Sequence, residues 1–398
     1  QESTTKIVSS IIADRLLSNI EKHGHPTQFG FQRNMGCTDA LFLLRTILQN
    51  RREHNLETHV LFVDLVKAFD TVNHKLLFCV LKKYGIPDSL VSVIESLHCD
   101  LKVNLKLSKK LQIEIDYTNG VKQGDNMAPV LFLYIIQAMT ETLTPILARN
   151  NVLPISLLHY PIAKKDKTQR GMLSGQKTGA RATQENLDIT AILFADDGAF
   201  PFNSRLDMVI GANLLFKHLK RFGLQMHIGT DGKPSKTEAM FFPASKPPNS
   251  EIESVGHSPE TLHFPVSDGI VTYCKSFKYL GSLITPCLTD DLEVSTRIRK
   301  ATGQLGQLIS IFRSPNVPLS SKKLLYLQIP LNTVIWGCES WTITTDLMRK
   351  LRVFQNNSLR RILNINMYDV MNDRIKNGQL RRAMDNLQDI VDTVRERQ

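Results

Sequence analysis

The sequence predicts an α+β fold, and three observations support that class. Residues 101–117 alternate apolar and polar side chains around a short polar turn, which is typical of a β-hairpin with one solvent-facing side. Residues 60–63 are continuously apolar, as expected for a strand buried on both faces. From Leu292 the pattern is almost wholly helical. With 398 residues and 42% hydrophobic content, the chain can bury a large core and form two or three subdomains.

The N-terminal segment predicts two helices. The first helix is predicted by a stripe of apolar residues at helical spacing, and it is expected to end at a polar loop, residues 23–26. The stripe comprises Ile7, Val8, Ile11, Ile12, Leu16 and Ile20. The second helix is expected to begin near Thr38, as its N-cap, and to run to about Arg51.

Asp64 is expected at the C-terminal end of the buried strand, at the edge of a sheet. A helix follows, with Asp70 as its expected N-cap and with Gly85 and Pro87 at its end. Its apolar face comprises Leu76, Leu77, Val80, Leu81 and Tyr84. Asp70 could instead be a metal ligand, but we favour the cap.

The predicted hairpin turns at residues 108–110 and leads into a glycine-containing loop, residues 119–125, where the backbone can approach a ligand closely. An ordinary loop before the next helix is the alternative. That helix is expected to start around Pro129, and its apolar run, which ends at Met139, is too short to span a bilayer.

Residues 163–186 are rich in Lys, Gln, Gly and Thr and predict a mobile surface loop. The alternative is that its basic residues contact phosphates: Lys164, Lys165, Lys167 and Arg170. A further helix is expected from Ser204 to Phe222, followed by a turn at residues 231–235. The C-terminal helices are expected to start near Ser295, Ser320 and Thr344.

Two adjacent aspartates, Asp196 and Asp197, lie at the predicted tip of a β-hairpin whose turn ends in Gly198. Neighbouring carboxylates raise each other's pKa unless a cation lies between them, so the pair indicates a divalent-metal site. Asp-Gly is also a common turn sequence, and the pair alone leaves both interpretations open. Asp64 supplies a third carboxylate. Together the three can bridge two Mg²⁺ ions about 3.5 to 4 Å apart, an arrangement that supports phosphoryl transfer.

A series of short blocks follows in order along residues 7–365. The blocks are QFGFQR at 28–33, FVD at 62–64 with AFD at 68–70, QGD at 123–125, FADD at 194–197, KTEAM at 236–240, FKYLG at 277–281, WGCESW at 336–341 and LRRIL at 359–363. In this order they resemble the reverse transcriptases of non-LTR, LINE-like retrotransposons. Each block alone is weak evidence, and the ordered set is strong.

The resemblance implies a right-hand polymerase with an antiparallel-sheet palm, mixed helix and hairpin fingers and a helical thumb. The implied divisions are N-terminal fingers at 1–58, the palm strand with the first catalytic aspartate at 59–72, fingers and palm helices with a hairpin at 73–118, the palm with the Asp-Asp hairpin and primer grip at 119–290, a basic helical thumb at 291–365 and a C-terminal helical tail at 366–398.

By resemblance, Asp64 and Asp196 bridge two Mg²⁺ ions, with Mn²⁺ as an alternative, and Asp197 tunes the site or the primer end. A primer 3′-hydroxyl then attacks the α-phosphate of a nucleoside triphosphate. Lys236 would donate a proton to the departing pyrophosphate, and a solvated surface lysine is the alternative. The implied primer grip comprises Phe277, Tyr279, Leu280 and Gly281.

The implied deoxynucleotide-binding residues are Arg33, Phe69, Gln123 and Gly124. Phe69 would pack under the deoxyribose and leave no room for a 2′-hydroxyl, and a plain core phenylalanine is the alternative. Arg33 suits triphosphate because guanidinium matches phosphate geometry. Met35 and Gly36 stand where relatives often carry a second basic residue, and Phe194 replaces the tyrosine of many relatives.

The charge distribution favours a polyanionic partner. The net charge is +11, and from residue 292 onward there are 17 Lys and Arg against 9 Asp and Glu. A solvated helix face is the alternative. With the resemblance, the expected partners are an RNA template, a DNA primer and deoxynucleoside triphosphates, with no membrane and an oligomeric state that the sequence leaves open.

The six cysteines show no CxxC pair or zinc-ligand spacing, which indicates reduced thiols inside the cell. By resemblance the site of action is the nucleus. The chain begins with Gln1, so we expect an excerpt whose complete form has an upstream endonuclease. The expected function is RNA-directed DNA polymerase. The alternatives are a degenerate retroelement remnant that binds RNA without synthesis and, disfavoured by Phe69, an RNA-templated RNA polymerase.

Overall fold

The computed structural model describes residues 3–98, 102–106, 112–116, 118–159, 185–230, 233–245 and 263–398. The chain divides into two compact units, Gln1–Lys275 and Ser276–Gln398. The predicted α+β class is confirmed, because helices surround a central, mainly antiparallel sheet in the first unit. The boundary expected near residue 290 falls inside the second unit.

The first unit contains helices and strands in mixed order. Its helices are α1 Ser3–His23, α2 Cys37–Glu53, α3 His74–Lys83, α4 Asp88–Ser96, α5 Ala128–Arg149 and α6 Arg205–Arg221. Its strands are β1 Thr58–Val63, β2 Lys102–Lys106, β3 Gln112–Asp116, β4 Ile155–His159, β5 Glu185–Ile189, β6 Ile192–Phe194, β7 Asp197–Phe202, β8 Glu238–Phe242, β9 His263–Val266 and β10 Gly269–Tyr273.

Strand β1 lies in the middle of a six-stranded sheet with the order β6-β7-β1-β8-β10-β9. Every pair is antiparallel except β8 with β10. All six residues of β1 are buried, which confirms the prediction from its continuous apolar run.

Strands β2 and β3 form a separate two-stranded antiparallel sheet, and β4 and β5 form another. Strands β2 and β3 pair antiparallel, which confirms the two predicted strands. The predicted turn at 108–110 lies outside the described residues. The predicted surface loop at 163–186, with its four basic residues, also lies outside them, except for the two residues that begin β5.

Helix α5 is the core helix of the first unit. It runs for 22 residues, well beyond the predicted apolar run, and is long and apolar enough to cross a membrane by length and composition alone. Most of it is buried inside the unit, and the hydroxyl of Tyr134 donates to the Leu16 carbonyl of α1 at 3.0 Å. The helix therefore serves as packing surface for its neighbours.

Two predicted helix caps are wrong. Gly36, and not Thr38, precedes α2, and the Asp39 carboxylate accepts the Gly36 N–H at 2.7 Å. Asn73, and not Asp70, caps α3 by accepting the Leu76 N–H at 3.0 Å. At α3, Asp70 and Asn73 are both short polar residues that can cap a helix start. At α2 the cap is a glycine, which offers no side-chain acceptor to reveal it.

The apolar stripe of α1 is only half buried. Ile12, Leu16 and Ile20 are in the core, whereas the three apolar residues nearer the N-terminus are exposed. These are Ile7, Val8 and Ile11. By contrast, the helix predicted from Ser204 to Phe222 is confirmed, since Ser204 caps α6 and Phe222 follows its last turn.

The second unit begins with a short hairpin, β11 Phe277–Tyr279 and β12 Ser282–Ile284, and continues as helices. The helices are α7 Asp291–Gln307, α8 Ile309–Arg313, α9 Leu319–Tyr326, α10 Asn332–Ile335, α11 Thr345–Leu363, α12 Met367–Asn372, α13 Asn377–Ala383 and α14 Ile390–Arg397. Residues of α13 and α14 share one hydrophobic core with α7 and α11. The predicted helical tail is therefore part of the folded unit.

Candidate active site

The Asp-Asp hairpin is formed by β6 and β7. Phe194 pairs with Asp197, so the loop contains only Ala195 and Asp196, and Ala195 has a left-handed backbone with φ of 57°. Gly198, which we expected to end the turn, lies instead within β7, where a Cβ would come within 2.8 Å of the Phe200 ring. The hairpin itself is confirmed.

The pairing register brings Asp64 to the same place. Strand β1 pairs with β7 through Val63 and Gly198, so Asp64 and Asp197 follow as the next opposed residues. Directly opposed side chains of antiparallel neighbours lie on one face, with Cβ atoms about 4.5 to 5.5 Å apart. The sheet thus gathers three carboxylates at the end of β1.

Electrostatic interaction among the carboxylates supports this placement. Burial, and then the charges of Asp196 and Asp64, raise the pKa of Asp197 to about 6. Burial also raises the pKa of Asp196, with Asp64 adding to the effect. Asp197 is exposed to solvent, so a cation or substrate can reach the three carboxylates from that side.

The chemistry of the donor set fits a hard divalent cation such as Mg²⁺, which prefers carboxylate oxygens. A bound cation would also offset the mutual repulsion, which adds to burial in raising the pKa values of Asp196 and Asp197. Among the described residues, no three His, Cys, Asp or Glu side chains converge on a single point as they stand. Binding therefore requires rotation of the aspartate side chains around the ion.

The backbone of Asp64 is fixed by two residues that sequence reasoning missed. Its N–H donates to the hydroxyl of buried Thr237 at 3.1 Å, and its carbonyl accepts the His227 N–H at 2.8 Å. Thr237 belongs to the KTEAM block, where only Lys236 had been considered. A polar residue next to an apolar strand was the available signal.

Lys236 is exposed, and its backbone N–H donates to His227 Nδ1 at 3.1 Å. It therefore lies one residue from the threonine that holds Asp64. Its proposed role as a proton donor stays a prediction.

Phe69 lies in a small aromatic cluster. Its ring stacks on Phe132 of α5 at a centroid distance of 4.5 Å and meets Phe31 edge-on at 6.3 Å. Phe69 is half-buried, so it packs on the core while part of the residue stays exposed. This position is compatible with both interpretations made from the sequence.

The loop that contains Gln123 is attached to the Phe69 turn by three hydrogen bonds. Val121 N–H donates to the Phe69 carbonyl at 2.8 Å, and Gly120 N–H donates to the Val72 carbonyl at 2.8 Å. Gln123 Nε2 donates to Asp70 Oδ1 at 3.1 Å, which gives Asp70 the role of a loop anchor.

Gly124, the next residue in that loop, has a left-handed backbone with φ of 85° and open space around its Cα. The structure therefore brings the predicted nucleotide-binding residues Phe69, Gln123 and Gly124 together.

The ion pairs of Arg33 are with helix α1 and not with Phe69, Gln123 or Gly124. Its guanidinium forms ion pairs with two acids of α1, Asp14 at 2.9 Å and Glu21 at 3.6 Å. A triphosphate contact would require Arg33 to leave these exposed partners, which costs little because exposed ion pairs are weak. Triphosphate binding by Arg33 stays a prediction.

The implied primer-grip residues form the β11–β12 hairpin of the second unit. Leu280 and Gly281 make its two-residue turn, with φ of 47° and 82°, and Tyr279 is buried. Arg297 of α7 donates to the Gly281 carbonyl at 2.7 Å, while Glu293 accepts the Leu283 N–H at 3.0 Å. The turn is thus held rigidly, and its role at a primer end stays a prediction.

The reverse transcriptase (RNA-dependent DNA polymerase) family model matches residues 2–284, more than half of the chain. The chain therefore belongs to the reverse transcriptase family. The predicted resemblance to reverse transcriptases of non-LTR retrotransposons is confirmed by similarity to Pol polyproteins of R2 elements.

The Pol polyprotein of the type-2 element R2DM of Drosophila melanogaster is 29% identical over 136 residues, 34% of this chain and 13% of the relative. That of the type-1 element R2 of Popillia japonica is 31% identical over 135 residues, 34% of this chain and 19% of the relative. The chain thus spans less than a fifth of these relatives.

Among solved structures, telomerase from Candida albicans in complex with a fragment of telomeric RNA aligns with 96% of this chain and 54% of its own. The identity is 10% and the TM-score is 0.40, too low for any argument about fold.

Proposed function

We propose that this chain catalyses RNA-directed DNA synthesis, adding deoxynucleotides to the 3′-hydroxyl of a primer. The observation that carries the proposal is that Asp64, Asp196 and Asp197 are neighbours at the end of one buried strand, in a chain of the reverse transcriptase family. The division into palm, fingers and thumb belongs to the same proposal. The central sheet suits a palm, α1 and α2 suit fingers, and the helices of the second unit suit a thumb.

Reverse transcriptases generally use divalent metal ions, and Asp64 and Asp196, with Asp197 beside them, would hold two Mg²⁺ ions or, alternatively, Mn²⁺. When bound, such ions activate the attacking oxygen and neutralise charge on the leaving pyrophosphate. The chain itself supplies the rigid frame. Thr237 and His227 fix the backbone of Asp64 from one side, and the two-residue hairpin loop fixes Asp196 from the other.

Phe69 acts as the sugar selector in this proposal. Stacking on Phe132 prevents the ring from turning away, so its exposed edge can exclude a 2′-hydroxyl. Gln123, held by Asp70, and Gly124, whose surroundings are open, would line the same pocket beside the template base. Lys236 would donate a proton to pyrophosphate, and Arg33 would contact the triphosphate.

An RNA template, a DNA primer and deoxynucleoside triphosphates are the partners that this activity requires. Because the chain spans only part of its relatives, target-primed synthesis in the nucleus and the native template are proposals for a longer protein.

Primer extension tests the proposed function directly. The parent protein, with Mg²⁺, a poly(A) template and an oligo(dT) primer, should incorporate dTTP and discriminate against UTP. Asp196→Asn should extend nothing while keeping the circular-dichroism spectrum of the parent. A folded parent that binds RNA but extends nothing would indicate a remnant without synthesis. Incorporation of UTP as readily as dTTP would remove the role of Phe69.

A further inference from the structure

The backbone of residues 27–30 runs along β6, the edge strand of the catalytic hairpin. Phe29 N–H donates to the Leu193 carbonyl at 2.8 Å, and Leu193 N–H donates to the Thr27 carbonyl at 2.9 Å. These two bonds form a parallel bridge that brings Gln28 level with Leu193. The N-terminal segment therefore extends the sheet next to the Asp-Asp turn.

The side chain of Gln28 binds the turn itself. It is 4% exposed, and its Oε1 accepts the N–H groups of both Ala195, at 3.0 Å, and Gly30, at 2.8 Å. Its Nε2 faces the Ala195 carbonyl at 3.5 Å. One buried amide thus faces both polar backbone groups of the residue that immediately precedes Asp196.

The conformation of Ala195 needs such support. Its φ of 57° lies in the left-handed region, which residues other than glycine adopt rarely. Conformations of this kind persist only where the surroundings impose them. The buried Gln28 amide is the side chain that meets this requirement at the turn.

Gly30 makes the close approach possible. A Cβ at this position would lie 2.3 Å from the Ala195 nitrogen and 2.9 Å from the Phe194 carbonyl carbon. Because both obstacles are backbone atoms, a side chain at residue 30 would displace the turn.

We propose that Gln28 is a positioning residue for catalysis, which fixes the Ala195–Asp196 turn through hydrogen bonds to the Ala195 backbone, and that Gly30 admits the turn to this contact. Gln28 acts through the backbone and touches neither substrate nor metal. Its effect on synthesis rests on the proposed function, whereas its effect on the turn can be measured without substrate.

Amide hydrogen exchange in the metal-free protein measures the contact. Gln28→Met keeps the length of the side chain but removes the acceptor, so the Ala195 amide should exchange about tenfold faster. Gln28→Glu should behave like the parent, because a carboxyl group offers an acceptor oxygen in either protonation state. The matched control is Gln355→Met, which removes a buried glutamine that accepts the Ile390 N–H at 3.1 Å in the second unit. It should leave Ala195 exchange unchanged.

Steady-state primer extension measures the catalytic consequence. In Gln28→Met and Gly30→Ala, kcat should fall about 10- to 100-fold, because small displacements of reacting groups are costly. The KM for dTTP and the affinity for template and primer should change less than about twofold, since the binding surfaces remain. Gln28→Glu should restore most of the lost kcat.

Unchanged Ala195 exchange in Gln28→Met would overturn the inference, and so would a Gln28→Glu variant that is as impaired as Gln28→Met. If Gln28→Met does not fold, Gly30→Ala provides the same test, because it displaces the turn while the amide is retained. If the parent protein does not synthesise DNA, the proposed function is refuted. The hydrogen-exchange measurement then still tests whether Gln28 fixes the turn.

Discussion

Three neighbouring carboxylates at one end of a sheet are unfavourable for the metal-free fold. Asp197 shows the effect most clearly, because burial and the charges of Asp196 and Asp64 raise its pKa from 3.8 to about 6. The cost arises from the same proximity that would let the group bind a cation. The arrangement proposed to bind metal therefore lowers the stability of the metal-free fold.

Removal of one carboxylate should stabilise the metal-free protein in a pH-dependent way. Between pH 3.8 and about 6, folded Asp197 binds a proton more tightly than the unfolded chain does, so stability falls as the pH rises through this window. We expect the Tm of Asp197→Asn to match the parent near pH 4 and to exceed it at pH 7, in buffer with EDTA. Excess Mg²⁺ should reduce the difference by stabilising the parent. A difference that is independent of pH would contradict the electrostatic explanation.

Shortening the side chain of Phe69 should weaken discrimination between sugars. Phe69→Val opens space beside the position proposed for the deoxyribose, and the ratio of dTTP to UTP incorporation should fall by about tenfold or more.

Phe222→Val is the control for lost packing, since Phe222 is also half-buried against the core of the first unit and its ring contacts His218. It should leave the dTTP to UTP ratio at the parent value. An unchanged ratio in Phe69→Val would assign Phe69 to the core alone.

Helices and strands were predicted correctly from the sequence where a single local pattern was clear. The buried strand β1 and helix α6 with its Ser204 cap follow directly from hydrophobic run length and capping chemistry. The predicted cap of α3 was wrong because Asp70 and Asn73 are both suitable N-cap residues, and that of α2 was wrong because its cap is a glycine without a side-chain acceptor. The exposed half of the α1 stripe shows that periodicity indicates a helix but not which of its turns finds a partner.

In the candidate site, too, some residues are indicated by the sequence and others are not. The three aspartates could be found from the sequence because their residue types and order carry a chemical meaning. The supporting contacts could not, since Gln28 meets Ala195 and Thr237 meets Asp64 across more than 160 residues of chain. No local pattern encodes a contact that only the folded sheet creates.

The β11–β12 turn depends on one buried ion pair. Arg297 pairs with Glu293 and also donates to the Gly281 carbonyl. Arg297→Met would leave Glu293 as an uncompensated buried charge, so the free energy of unfolding of the second unit should fall by about 3 to 5 kcal/mol.

Arg349→Met makes the same change in the exposed pair with Asp346 and should cost less than about 1 kcal/mol. Urea denaturation followed by tryptophan fluorescence reports on this unit, which contains both tryptophans of the chain. Equal effects of the two substitutions would contradict a structural role for the buried pair.

In the whole molecule, the positive net charge is concentrated in one of the two compact units. The second unit has its own hydrophobic core, and the last 107 residues, from Leu292, carry most of the positive net charge of the chain. A unit with this net charge attracts nucleic acid through its phosphates, and the attraction is insensitive to base sequence.

Binding of a template and primer duplex should therefore depend steeply on salt. Between 50 and 200 mM KCl, the affinity should fall by about 10³-fold if at least six phosphates are contacted. Fluorescence anisotropy with a labelled duplex measures this change, and two duplexes of unrelated sequence should give the same slope. Affinity that is independent of salt would exclude the net positive charge of the second unit as the source of binding.

The bridge between residues 27–30 and β6 has a consequence for dissecting the chain into fragments. In the described sheet β6 is an edge strand, and these residues cover part of its open side. A shortened protein that starts after Gly30 would expose backbone N–H and C=O groups beside the hairpin, and such edges promote aggregation. Insolubility of that fragment would then reflect an uncovered strand, and a minimal soluble catalytic fragment should begin before Thr27.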